Sequence, residues 1–354
     1  MYDKISSSSI FSVQQCIYYF TRLVIRLGEC EMLEALNRRL EKFMPFITPL
    51  SVGMGVLFTE QLVGYSFFIP FIFAFMTFSG SLSSSFRSLT SSLKHPFPIV
   101  VVLLLLHVLM PLIAWSVGQV VFHDQLTITG LVLASVIPTG ITSFIWVTIY
   151  KGNMGLALSV ILLDTILSPL FVPYALACLV GEKVEINILS MMMGLLYMVV
   201  IPSLFGMIIH SITKGKSSIA SKKLAPFSKV ALASVVMING AVVAPFLKSE
   251  GETLLKIIIT VFLLAALGYT LAWLLGHIFK RDRDTKLVMM FTGGMRNISA
   301  GAVIAVQYFP APVAVPVVVG MLFQQVLASL FGFLFKKLED EKDQLKGKLL
   351  KIDT

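Results

Sequence analysis

The sequence predicts an all-α polytopic membrane protein: ten transmembrane helices in two inverted five-helix repeats, with broken helices at spans 4 and 9. Three observations predict it. The chain is 56% hydrophobic and only 13% charged, where soluble domains carry about 25% charged residues. Ten apolar segments are each long enough to cross a bilayer at about 1.5 Å of rise per residue. Lysine and arginine gather in every second loop between them, the asymmetry that orients a multi-pass protein.

The segments cover residues 43–59, 66–86, 97–119, 126–150, 154–178, 186–210, 226–246, 254–279, 286–308 and 312–335. Residues 43–335 thus form one ten-helix domain. Residues 1–42 are an N-terminal cytoplasmic segment and 336–354 a charged cytoplasmic tail. Residues 1–31 lack a signal-peptide pattern, because Arg22 and Arg26 interrupt the weak apolar patch that starts at Cys16. Two readings of them stand: a misplaced start, with Met32 opening MLEALNRRLEKFMPF straight into span 1, or a cytoplasmic or interfacial amphipathic helix. The first is preferred.

Inside loops hold Arg38, Arg39 and Lys42; Arg87 and Lys94; Lys151; Lys214, Lys216, Lys222, Lys223 and Lys229; then Lys280, Arg281, Arg283 and Lys286, and the tail lysines. Outside loops hold only Lys183, Lys248 and Lys256. One missed or invented span would destroy that alternation, so it supports both the count and the orientation. Both termini are expected in the cytoplasm, and the protein in the plasma (inner) membrane. The net charge of +9 belongs to these loops, so the bilayer, not nucleic acid, is the expected partner. Cys16, Cys30 and Cys178 are scattered and suggest neither disulfides nor a metal site. No HExxH, GxSxG, P-loop or carboxylate pair is present, so an enzyme and a bound cofactor are not expected.

The halves are alike. HVLMPLIAWSVG (His107 to Gly118) leads to a hinge at Pro138-Thr139-Gly140, and LGYTLAWLLG (Leu267 to Gly276) leads to one at Gly293-Gly294. Five spans per half is an odd number, so the second copy inserts upside down, and matched broken helices in inverted halves point to a solute site at the midplane. In span 4, Pro138 removes a backbone donor and Gly140 relaxes the chain. Thr142 and Ser143 then open the second half-helix, whose N–H groups add partial positive charge. In span 9, FTGGMRNISAGAVIAVQ places Gly293, Gly294, Arg296 and Asn297 at bilayer depth. A guanidinium there costs at least ~3 kcal/mol on insertion scales. Thr139, Gly140, Thr142, Ser143, Gly293, Gly294, Arg296 and Asn297 are the candidate substrate-binding residues.

Asp164 in span 5 is the only deep anion and Arg296 the only deep cation, which invites pairing. Three readings stand: a salt bridge locking span 5 to span 9, an Arg296 clamp on a substrate carboxylate beside Asp164, or an Asp164 that titrates or meets a cation. His107 reads as a packed core histidine bonded to a carbonyl, ahead of a proton relay. Gln307, Gln324, Gln325 and Asn239 read as amides bonding between helices.

PTGITS followed by GNMGLALSVILLDTILSPLFVP, with GGMRNISAGAVIA and MPLIAW, resembles the bile-acid/sodium symporter family over nearly all of residues 40–335, as a divergent, bacterial-type member. The resemblance implies a panel domain (spans 1, 2, 6 and 7), a core domain (spans 3–5 and 8–10), and crossing helices at spans 4 and 9. It also implies alternating access and an amphipathic organic anion between the domains. The family's Glu-x-Gly-Met-Gln-Asn stretch reads Thr292 to Asn297 here, so a glutamate has become Thr292 and a glutamine Arg296. Ser143-Phe144 stands for the family's Ser-Asn pair, and Leu106 for a glutamine. That leaves a weak sodium remnant at Ser143, Thr292 and Asn297. The expectation is a secondary transporter of a small or amphipathic organic anion, with sodium coupling in question and H+ as the other coupling ion. The competing expectation is a membrane receptor or scaffold that retains the fold.

Overall fold

The computed structural model describes residues 31–85, 96–181, 184–249 and 251–350. The readings placed on residues 1–30, Arg87, Lys94 and Lys183 lie outside them. Among the described residues there is no strand, and twelve helices carry the architecture. They are α1 (Glu31–Leu57), α2 (Thr59–Ser81), α3 (Pro96–Val121), α4 (Gln125–Val136), α5 (Thr142–Ile149) and α6 (Met154–Val180). There follow α7 (Ile188–Ile212), α8 (Ser217–Ser249), α9 (Gly251–Ile278), α10 (Arg283–Gly294), α11 (Ile298–Tyr308) and α12 (Ala314–Leu350).

Seven of these, α2, α3, α6, α7, α8, α9 and α12, are long and apolar enough to cross a membrane, and the outer stretch of α1, α4 and α11 are shorter apolar helices. Their outward faces carry side chains that a soluble protein would cover: Phe46, Leu57, Phe71 and Val120 are all largely exposed. Such a surface is stable only against lipid. This is an integral membrane protein.

Three boundaries differ most from expectation. α1 begins at Glu31, not near 43, α8 begins at Ser217, not near 226, and α12 continues to Leu350, so the charged tail is largely a helical extension. In α8 and α12 hydropathy falls where lysines begin, but lysine is a good helix former, and α8 carries Pro226 within it.

Four helices pack on one another: α8 lies along α1 and α2, and α2 lies along α7. The α1–α8 seam is backbone against backbone. A Cβ on Gly55 would lie 2.1 Å from the Met237 carbonyl oxygen, and one on Gly240 would lie 3.0 Å from that of Val52. Small residues permit such approach where lipid gives no hydrophobic drive between helices. The remaining helices form a second group in which α10 packs on α5 and α11 on α4. The interrupted segments α4–α5 and α10–α11 therefore cross at their breaks.

Candidate solute site at the crossing

Each broken segment is built the same way. Asp124 caps α4 by accepting from the N–H groups of Leu126 and Thr127, and Asp282 caps α10 by accepting from that of Thr285. α4 stops at Val136, where Pro138 cannot continue the ladder, and α5 resumes at Thr142. α10 stops at Gly294, and α11 resumes at Ile298 with the Asn297 side chain accepting from the Ala300 N–H. Between them the chain is extended, and Thr139 and Arg296 pair as one antiparallel bridge. The Asn297 N–H donates to the Pro138 carbonyl at 2.7 Å, and the Thr139 hydroxyl donates to the Met295 carbonyl at 3.0 Å. Backbone freed at mid-membrane is satisfied by its counterpart, as a lipid environment demands.

The glycines have different uses. Gly140 sits at the crossing, where a Cβ would lie 2.9 Å from the Arg296 carbonyl oxygen. Gly293 and Gly294, expected to loosen the helix, are instead its last two residues. A Cβ on Gly293 would lie 2.6 Å from that of Ala272, and one on Gly294 would lie 2.4 Å from the Tyr269 ring. They exist to let α9 close on α10.

The expected pairing of Asp164 with Arg296 is corrected. Asp164, with no exposure, accepts from His107 Nε2 at 2.5 Å through Oδ1 and from the Thr139 N–H at 2.6 Å through Oδ2. His107 is therefore bonded to a carboxylate, not a carbonyl, and its ring stacks on Phe171 at 4.8 Å. His107 Nδ1 has no hydrogen-bond partner, so Nε2, facing the carboxylate, is the ring nitrogen that donates. Arg296, 7% exposed, donates from Nε to the Ser135 carbonyl at 3.0 Å and from Nη1 to the Gly293 carbonyl at 2.9 Å. The physical reason is division of labour: the anion satisfies a free N–H of one break, and the cation satisfies free carbonyls at two helix ends.

A cavity of about 200 Å³ lies between the crossing and the four-helix layer. Of the candidate residues, Thr139, Gly140, Thr142, Arg296 and Asn297 line it; Ser143, Gly293 and Gly294 do not. Its opposite wall includes Phe73, Met76, Thr77, Val199, Ser203 and Val236, and among the described residues no carboxylate lines it. A second cavity of about 50 Å³ shares Arg296, Ile298 and Gln324 with it and reaches Tyr269. Gln324 was expected only to join helices, yet it donates to the Arg296 carbonyl at 2.6 Å and borders both cavities. Gln325 accepts from Trp146 and Gln307 donates to the Ser66 carbonyl, each between helices as expected. Asn239 differs: neither side-chain polar atom has a partner. Ser135 and Tyr269 escaped sequence reasoning, since a carbonyl and a packing ring leave no motif.

Residues 70–251 match the model of the Sodium Bile acid symporter family. The chain is 52% identical over 298 residues to "Uncharacterized protein YbaS" of Bacillus subtilis (strain 168), covering 84% of this chain and 97% of that protein. It is 22% identical over 289 residues to "Uncharacterized sodium-dependent transporter YocS" of the same organism, covering 82% and 89%. It is 24% identical over 294 residues to "Probable sodium/metabolite cotransporter BASS1, chloroplastic" of Oryza sativa subsp. japonica, covering 83% and 68%.

Proposed function

The chain belongs to the sodium bile acid symporter family, a family of transporters and not of enzymes, and from that premise we propose a secondary transporter of a small or amphipathic organic anion. The observation that carries this reading is the cavity, bounded on one side by both helix breaks and on the other by a separate layer of helices. Its wall mixes hydroxyls and amides with apolar side chains and contains a guanidinium but, among the described residues, no carboxylate. The N-terminal ends of α5 and α11 lie on it, adding partial positive charge. An anion with an apolar body suits such a surface.

In this reading there are ten spans in two inverted repeats, with α4–α5 and α10–α11 as the fourth and ninth. Two symmetric details support the repeat beyond the matched aspartate caps. Ala114-Trp115 and Ala272-Trp273 each precede a glycine, and Gly118 packs on Ile128 of α4 as Gly276 packs on Lys286 of α10. The panel is α1, α2, α7 and α8, the core is the rest, and rocking of one against the other alternates access from the two sides of the plasma membrane, with both termini cytoplasmic. Saturable uptake of labelled organic anions into proteoliposomes tests it. Saturable binding without accumulation inside the vesicles would identify a receptor instead.

A further inference from the structure

Membership of a sodium symporter family implies a sodium ion at the crossing, and the residues present do not fit one. Sodium needs several converging oxygens. Ser143 and Thr292 turn their hydroxyls onto their own helices, donating to the Gly140 and Val288 carbonyls at 2.7 and 2.8 Å. Asn297 Oδ1 is engaged by the Ala300 N–H.

What the crossing has instead is a tethered cation. α4 and α10 each end at mid-membrane, and the last carbonyls of a helix have no partner within it and carry its negative end. Ser135 and Gly293 are the next-to-last residues of those two helices, so their carbonyls are equivalent groups in the two halves. One guanidinium, that of Arg296, donates to both. Its charge is not neutralised by a carboxylate in contact, because Asp164 is engaged by His107 and Thr139 and no ion pair joins it to Arg296 among the described residues. Arg296 also borders both cavities, so its charge lies beside any solute in the larger one.

We propose that Arg296 is a resident counter-cation for the two helix ends, and that the solute cycle of this protein accordingly requires no sodium. The proposal rests on the transport reading for the word cycle, but its first test does not. Full-length protein is purified as wild type, Arg296→Lys and Arg296→Gln, and its melting is followed in sodium, potassium or choline chloride at equal ionic strength. Wild type and Arg296→Lys should melt alike in all three salts. Arg296→Gln should melt lower in choline and regain roughly 2–4 °C or more in sodium, as it takes up a free cation. A sodium-specific rise for wild type, or an Arg296→Gln protein as stable in choline as wild type, would overturn the proposal. If Arg296→Gln does not accumulate, wild type and Arg296→Lys decide alone. Uptake into vesicles is then compared with sodium and with choline: equal rates support the proposal, and a strict sodium requirement overturns it. No uptake in either salt defeats the transport reading and leaves the melting result standing.

Discussion

His107 Nε2 lies 2.5 Å from Asp164 Oδ1, at a depth where the two side chains are 4% and 0% exposed. Because Asp164 also holds the Thr139 N–H, this contact secures one half of the crossing. Asp164→Ala should destabilise by roughly 2–6 kcal/mol, about 1–3 kcal/mol for each buried donor left unmatched, the imidazole N–H and the Thr139 N–H. His107→Ala should cost less, because the Thr139 bond survives. Changing both should cost clearly less than the sum, measured by thermal melting in detergent as a double-mutant cycle. The same cycle on Asp164 and Arg296 should give a smaller coupling energy, since the two do not touch but both hold the Thr139 stretch. Additivity at His107 and Asp164 would mean the pair does not form.

Gly140→Ala should separate the two broken segments. Its Cβ would meet the Arg296 carbonyl oxygen at 2.9 Å, a backbone atom that cannot rotate away. Overpacking of this kind costs roughly 1–3 kcal/mol, and uptake should fall further than stability does. Gly53→Ala is the control, because nothing lies within 4 Å of its added carbon. Its melting should equal or slightly exceed that of wild type, since alanine suits a helix interior better than glycine.

Gln324→Leu should impair the site without unfolding the protein. The side chain donates to the Arg296 carbonyl, and leaving that acceptor unmatched costs about 1–3 kcal/mol. Solute affinity should weaken, read as a raised KM in uptake, because Gln324 also borders the larger cavity. A normal KM would separate Gln324 from the solute.

Asp282 gives a pH test in a loop outside the apolar spans. Partial burial pushes its carboxyl pKa up, but hydrogen bonds from the Thr285 hydroxyl and nearby backbone N–H groups outweigh this and hold it below its usual value. A carboxyl depressed in the folded state stabilises above its unfolded pKa, and that contribution is lost as pH falls through the folded value. Asp282→Ala should therefore cost about 1 kcal/mol near neutral pH. The gap in melting between variant and wild type should narrow in acid. A gap that stays constant with pH would show that the carboxylate is not the capping group.

Some of this was legible from residue types. Pro138 announces a break because it has no N–H, and Arg296 announces a special environment because guanidinium is costly in hydrocarbon. The partners were not legible. Reading side chains alone, one buried anion and one buried cation must find each other. In the structure the strongest acceptors available to Arg296 are main-chain carbonyls, which carry no sequence signature. His107 reaches Asp164 only because α3 and α6 meet, a tertiary fact. Gly293 and Gly294 were read for flexibility when their role is to admit Ala272 and Tyr269. The last helix outran its hydropathy because lysine and glutamate favour helix as readily as leucine does.

The single bridge between Thr139 and Arg296 also restricts how the gene can change. Inserting or deleting one residue in either extended stretch would change which residues meet at the bridge and turn the helix that follows by about 100°. Arg296 would then face away from both carbonyls that it now holds. The two interruptions must therefore keep their lengths in step, and length variation in descendants of this chain belongs in its loops.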